Sequence, residues 1–395
     1  MDVYAYYKQI FEKESKPLAF LDRDMLDQNI KDILLRSSSK KIRVASKSVR
    51  SIAVLKYLLQ DKDHFIGLMS FTGDETIHLL EHGFDNIMLG YPVVDTRQLD
   101  DLCRYVAAGK KIYFMADLVD HVRLIQEAAS KRHVTAEICL DIDMSSRFPF
   151  LYFGVYRSSV KNLESLKRIA EYIQSCPDVR LSAIMGYESQ IAGLGDKVQG
   201  EVLKNSVIRF LKKISVGQVR QRRQECLEYL TQQGFTIEVV NGGGTGSLES
   251  TREEPWVTEV TVGSGFYSSH LFDSYRQFKH RPAVAFMLDI TRNPQPGIFT
   301  CAGGGYVASG AVGVNKLPLP YLPEGVNLIP NEGAGEVQTP FVYSGQQKLS
   351  VGDPVIMRHS KAGEICERFN ELYVVSEGKV IDRFKTYRGE GKSFM

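Results

Sequence analysis

Lys47 is the residue with the most chemistry to offer. It lies within KKIRVASKSVR (Lys40 to Arg50), where Ile42, Val44 and Ala45 read as a short buried strand and SIAVLKYLLQ, from Ser51, as the helix that follows. The lysine therefore stands at the carboxyl end of a strand, where a βα-loop opens. Barrels built of repeated βα units carry their catalytic groups on that face. An amine held among apolar neighbours loses part of its preference for the charged form and becomes a nucleophile toward a carbonyl. On this stretch alone, an ordinary surface lysine at a helix start is the competing reading.

Two glycine-rich turns give Lys47 a partner. NGGGTGS (Asn241 to Ser247) and GSGFYSS (Gly263 to Ser269) follow the last two of the short apolar runs described below. Glycine lets backbone N–H groups approach an anion, hydroxyls add donors, and the loops after strands seven and eight are the usual phosphate position in a (β/α)₈ barrel. Barrel closure sets such a phosphate beside strand one, within reach of Lys47. Pyridoxal phosphate fits that demand, and so does a phosphosugar in a Schiff-base aldolase. Two other strand ends point to the same face. DIDMSSRFPF offers Arg147, a cation for a phenolate or carboxylate, and MGYESQ offers Tyr187 and Glu188. Farther on, His359 and Cys366 in RHSKAGEICERFN could ligate Zn²⁺, although two donors at this spacing form no strong zinc signature.

Positioning these groups takes a regular frame. Apolar runs at 42–46, 65–70, 86–90, 111–117, 136–143, 180–186, 236–241 and 258–263 alternate with helical patterns. Asp24 is placed to cap the first helix, and Thr72 with Glu75 to form a capping box at another. Eight strands, each followed by a helix, predict an α/β fold of the (β/α)₈ TIM-barrel type over residues 24–272, with an open doubly wound sheet as the runner-up. Beyond Tyr275 the period changes. In RPAVAFMLDI, Val284, Phe286, Leu288 and Ile290 alternate with less buried positions, and Ser376–Lys379 reads as a hairpin turn. Residues 273–395 therefore form a mainly β domain, joined by a strand, PLAFLD, from residues 1–23.

With a net charge of +2 and both signs mixed along the chain, nothing points to nucleic acid or an anionic membrane. Six scattered cysteines read as reduced core thiols, and no apolar run suffices to span a bilayer. The first residues lack the apolar core of a signal peptide, so a cytoplasmic protein is expected.

From about Pro17 to Gly389 the chain resembles the fold-type III pyridoxal-phosphate enzymes. The likeness is strongest to the D-threonine aldolase and D-serine dehydratase branch of the alanine racemase-like superfamily. RVASKS looks like the family's Arg-x-x-x-Lys-Thr stretch, and FTGDETIHLLEHGFDNIMLGYPVV like its second and third strands. MGYESQ resembles the branch's tyrosine turn, GGGT and GSG its phosphate turns, and VGDPVIMRHS through Arg388 and Gly389 its metal-bearing segment. The resemblance implies pyridoxal 5′-phosphate on Lys47, which is also base at Cα. It implies cofactor contacts from Arg147, Tyr187, Gly244, Thr245, Gly263, Ser264 and Gly265, and a divalent metal, Zn or Mn, at His359 and Cys366. It further implies a homodimer with its active site near the interface, and a lyase acting on a β-hydroxy D-amino acid by retro-aldol cleavage or dehydration. The alternatives are a metal-independent racemase, with a second acid on the opposite face from a tyrosine such as Tyr306 of the partner subunit, and a non-catalytic cofactor carrier. The chain departs from the branch where a metal-binding His is followed two residues later by Cys or Asp. Here Ser360 to Ile365 separate His359 from Cys366, and Glu364 could replace the thiol. The Arg147 stretch lacks the usual glycines and adds aromatics, and the position two before the strand-eight glycine is Thr261 rather than Arg.

Overall fold

The computed structural model describes residues 2–395. The chain divides into two compact units. One comprises the residues up to Ile33 with Ser48–Val54 and Ser264–Ser393; the other comprises Leu34–Lys47, Leu55–Gly263 and Phe394–Met395.

The second unit holds a closed barrel of parallel strands: Lys41–Ala45, Phe65–Ser70, Ile87–Leu89, Ile112–Ala116, Ala136–Asp141, Val179–Gly186, Val239–Gly242 and Glu259–Val262. Each apolar run read from the sequence contributes one strand. The ladder between the last strand and the first, with Thr261 opposite Arg43, closes the ring and rules out the open sheet. Thr72 accepts the Glu75 N–H at 3.1 Å, while the Glu75 carboxylate reaches back to the Phe71 N–H at 2.8 Å, one residue before the cap itself. An antiparallel hairpin, Ser146–Phe148 with Leu151–Phe153, follows the fifth barrel strand.

At the barrel centre sits a charge. Arg43 is fully buried, with Nε 2.6 Å and Nη2 3.0 Å from the Glu259 carboxylate. Its remaining donors go to the carbonyls of Leu68 and Asn86 and to the Asn86 side chain, and Asn241 donates to Glu259 at 2.7 Å. A buried pair this fully bonded resists loss of one partner, because the survivor is left charged without water. Arg43→Ala should cost roughly 3–5 kcal/mol, read as a lower urea midpoint at unchanged slope. A midpoint within error of the parent would contradict this reading of the core.

The first unit carries a nine-stranded sheet. Leu18–Asp22, the PLAFLD segment, lies between Val284–Gln295, antiparallel, and Glu371–Ser376, parallel. The expected alternation is not seen: Ala285 and Met287 are as buried as Val284, Phe286 and Leu288, so both faces of this part of the strand are covered. The first helix after it, Arg23–Ser37, is capped by Asp22, whose carboxylate accepts the Met25 N–H at 2.9 Å. Asp24 does not cap it; its carboxylate is taken by the Ser376 hydroxyl and the Glu377 N–H. Between Ser376 and Lys379, Glu377 (φ 50°) and Gly378 (φ 79°) make a two-residue turn with both central residues left-handed, as tight hairpins of this type require.

Candidate active site

Lys47 follows the first barrel strand as the middle residue of a single 3₁₀ turn, Ser46–Ser48. Ser46 fixes that turn through its hydroxyl, which donates to the Met69 carbonyl at 3.0 Å. The lysine is exposed, not packed among apolar groups as its sequence neighbours suggested, because the chain has left the barrel wall. Its Nζ donates to the Tyr91 hydroxyl at 2.9 Å and lies 5.4 Å from the ring centre. Tyr91 comes just after the third strand. Burial works to raise the pKa of its phenol, but the charge and hydrogen bond of Lys47, with help from Arg157, outweigh it and hold the pKa below the usual value.

Arg157 joins this pair to Tyr187. Its guanidinium carbon lies 5.9 Å from the Tyr91 ring centre and 5.6 Å from that of Tyr187, within cation–π range. The segment after it is tied down on both sides. The Ser158 hydroxyl donates to the Asp141 carbonyl at 2.6 Å, the Ser159 N–H to the Asp117 carboxylate at 2.6 Å, and the Asp143 N–H to the Val160 carbonyl at 2.9 Å. Tyr187 follows the sixth strand. Burial pushes its phenol up to about 12 against the pull of Arg157, so it stays neutral near pH 7.

Beside Tyr187, the first glycine turn comes very close. A Cβ on Gly244 would lie 2.8 Å from the Ala192 Cβ and 3.0 Å from Tyr187 Cε2, so only glycine leaves this space open. Glu188 braces the turn. Its buried carboxylate accepts the Gly243 N–H at 3.2 Å and the Ser247 hydroxyl at 2.9 Å, bonds to Thr251, and pairs with the buried Arg223 at 3.2 Å. Thr245 is buried, and its carbonyl accepts from Arg36 at 2.6 Å. Gly263 follows the eighth strand. Ser264 and Gly265 open the short helix Ser264–Tyr267, counted with the first unit, where the Ser264 hydroxyl is 3.4 Å from that of Ser48.

Lys47, Tyr187 and Gly244 are thus linked in one cluster through Tyr91 and Arg157. Arg147 is not in it. That side chain is exposed on the hairpin, lining a cavity of about 390 Å³ with Lys161, Asn162, Gln218, Gln221, Arg222 and Glu225. In the first unit, His359 is fully buried and neither ring nitrogen makes a hydrogen bond of normal geometry. Burial, then the neighbouring Arg358 and His270, lower its pKa to about 3, although the Val284 carbonyl lies near enough to oppose this slightly. Cys366 is buried as well, and its thiol donates to the Val49 carbonyl at 3.3 Å. Among the described residues, no trio of His, Cys, Asp or Glu ligand atoms within 4.8 Å of one another contains His359, Glu364 or Cys366.

An acid group at the same barrel mouth escaped the sequence reading. Asp141 ends the fifth strand, and burial first, then Asp117 and Asp143, push its carboxyl up to about 8 against the pull of Arg157. The folded protein therefore keeps a proton that the unfolded chain sheds near pH 4, and stability falls as pH rises between about 4 and 8. Asp141→Asn should melt higher than the parent at pH 8, the gap narrowing toward pH 4 in a series of thermal scans. A gap independent of pH, or a parent that melts higher at pH 8, would contradict the assignment.

The residues present suit pyridoxal phosphate: an amine for its aldehyde, a guanidinium and two phenols around that amine, and a turn kept open by glycine against one phenol. They do not assemble a metal site at His359.

No family model matches the chain. It is 22% identical over 250 residues to the 3-hydroxy-D-aspartate aldolase of Paracoccus denitrificans (strain Pd 1222), a match covering 63% of this chain and 59% of that relative's length. Among solved structures, it superposes on D-threonine aldolase from Filomicrobium marinum with a TM-score of 0.79 at 16% identity, covering 95% of each chain. D-threo-3-hydroxyaspartate dehydratase from Delftia sp. HT23 gives 0.76 at 15%, over 95% of this chain and 98% of that one. An alanine racemase-like protein from Idiomarina loihiensis gives 0.75 at 13%, over 95% and 97%. With the closed barrel, the β-sheet unit and the lysine after the first strand, these likenesses give the chain the fold of the fold-type III pyridoxal-phosphate enzymes, the alanine racemase-like superfamily.

Proposed function

We propose that the protein is a pyridoxal-phosphate-dependent lyase acting on a D-amino acid that bears a hydroxyl on its β-carbon. The observation that carries this reading is the Lys47–Tyr91–Arg157–Tyr187 cluster at the carboxyl ends of the barrel strands. The aldolases and the dehydratase named above, whose names give D-amino acids with a hydroxyl on the β-carbon, support this substrate class.

Pyridoxal phosphate, when bound, supplies an electron sink for a bond broken at Cα. The chain's own residues do the rest. Lys47 would hold the aldehyde through its amine, and as a free amine it would be the base that takes a proton from Cα or from the β-hydroxyl of the substrate. Tyr91, hydrogen-bonded to that amine and held at a lowered pKa, passes the proton on or returns it. Arg157 keeps a fixed positive charge above both tyrosines, where it orients an oxyanion of cofactor or substrate. Tyr187, neutral, gives one wall of the site, and the turn braced by Glu188 gives the approach for a phosphate. In keeping with the resemblance, the working form is a homodimer.

A panel assay decides the reaction. With D-threonine, D-3-hydroxyaspartate and D-serine, we expect either glycine and an aldehyde from Cα–Cβ cleavage, or a keto acid and ammonia from loss of the hydroxyl, with the L-forms inert. Turnover limited to interconversion of enantiomers would overturn the lyase reading. A racemase has one observation in its favour: the Tyr306 hydroxyl is buried with no hydrogen-bond partner among the described residues, and the ring centre lies 5.1 Å from the Arg368 guanidinium carbon.

A further inference from the structure

We infer that the position at which the resembled branch holds a metal is closed in this chain by a lysine, and that the protein works without a divalent ion there. It rests on the proposed kinship only for which residue a ligand would occupy.

The argument is one of donors. The resemblance places a metal-binding His and, two residues on, a Cys or Asp. The pair here is His359 and Lys361. A divalent ion needs lone pairs, and it gains most from a negative ligand. An ammonium has three N–H donors and no lone pair, and its charge repels the ion. Lys361 is moreover built into a network, its Nζ donating to the Ser309 hydroxyl at 3.0 Å. The same serine engages Glu364, the replacement ligand, through its N–H at 3.0 Å and through its hydroxyl. The thiol of Cys366 is directed to the Val49 carbonyl, which also accepts the Tyr267 hydroxyl at 2.9 Å.

That leaves the imidazole. His359 is fully buried, and among the described residues neither nitrogen has a hydrogen bond of normal geometry, which on its own would suggest a missing ligand. Its charged surroundings argue the other way. Arg358 beside it is cationic, with Asp273 already spent as that guanidinium's partner, and His270 uses Nε2 on the Leu317 carbonyl at 2.9 Å. One neutral imidazole beside an arginine, with Lys361 rather than a thiolate or carboxylate two residues on, is a poor seat for a dication.

Metal content of the cofactor-loaded protein tests this directly, by elemental analysis after dialysis against MnCl₂ or ZnCl₂ and by calorimetric titration with each salt. The parent should retain no stoichiometric ion. Lys361→Cys and Lys361→Asp should each acquire one, with the gain lost when His359→Ala is added; circular dichroism establishes that each variant is folded. A stoichiometric ion in the parent that disappears on His359→Ala would overturn the inference. So would failure of both folded Lys361 variants to bind, since Lys361 would then not stand at the ligand position. Neither readout needs turnover, so a failed lyase assay and a failed metal prediction are told apart.

Discussion

Lys47→Ala should abolish the absorbance band of bound pyridoxal phosphate and lower turnover by roughly 10³-fold or more, since a single acid–base group alone contributes about 10²–10⁴. The lysine is asked for two services, covalent anchorage and proton transfer, and nothing else in the cluster can take over both. Tyr91 and Tyr187 have no amine, Tyr187 is held neutral and high, and a guanidinium offers no lone pair to an aldehyde or a proton. The variant should fold as the parent does, because Lys47 is exposed and adds nothing to the barrel core. Added methylamine should restore part of the activity by standing in as the base. A variant that keeps both band and turnover would show that another amine does the work.

Arg157→Ala is the second large effect. Hydrogen bonds to charged groups contribute about 1.5–3 kcal/mol, so the expected loss in kcat/KM is roughly 10–150-fold. Arg157 also pulls on both phenols, behind Lys47 at Tyr91 and against burial at Tyr187, so its removal should raise the Tyr91 pKa and move the basic limb of the pH–rate profile upward. Arg157→Lys should recover only part of the loss, because a point charge cannot lie over two ring faces as the planar fork does. The same substitution at Arg147, out on the hairpin, should leave the cofactor's affinity near that of the parent. Equal losses at the two arginines would contradict the assignment of Arg157.

The barrel was legible because its strands are short apolar runs bounded by helix caps, a local signal repeated eight times. Lys47, Tyr187 and the glycine turns were legible for a related reason: each lies directly beyond a strand end. Tyr91 and Asp141 obey the same rule, at the ends of the third and fifth strands. Arg157 was hidden. The hairpin from Ser146 to Phe153 carries the chain out and back before Arg157 arrives at the mouth, and no periodicity in an aromatic loop reports such an excursion. Arg147, nearer the strand in sequence, looked the better candidate for that reason alone. The helix cap failed for a different cause. Asp22 and Asp24 are equally good N-caps locally, and the sheet's own turn at Ser376 and Glu377 decides between them.

Covalent capture examines the central claim most directly. The purified protein, equilibrated with pyridoxal phosphate, is reduced with borohydride, digested and mapped by peptide mass. A pyridoxyl group on Lys47 as the sole modification reached at stoichiometric cofactor is the predicted result. A label on another lysine, or no label at all, would contradict it.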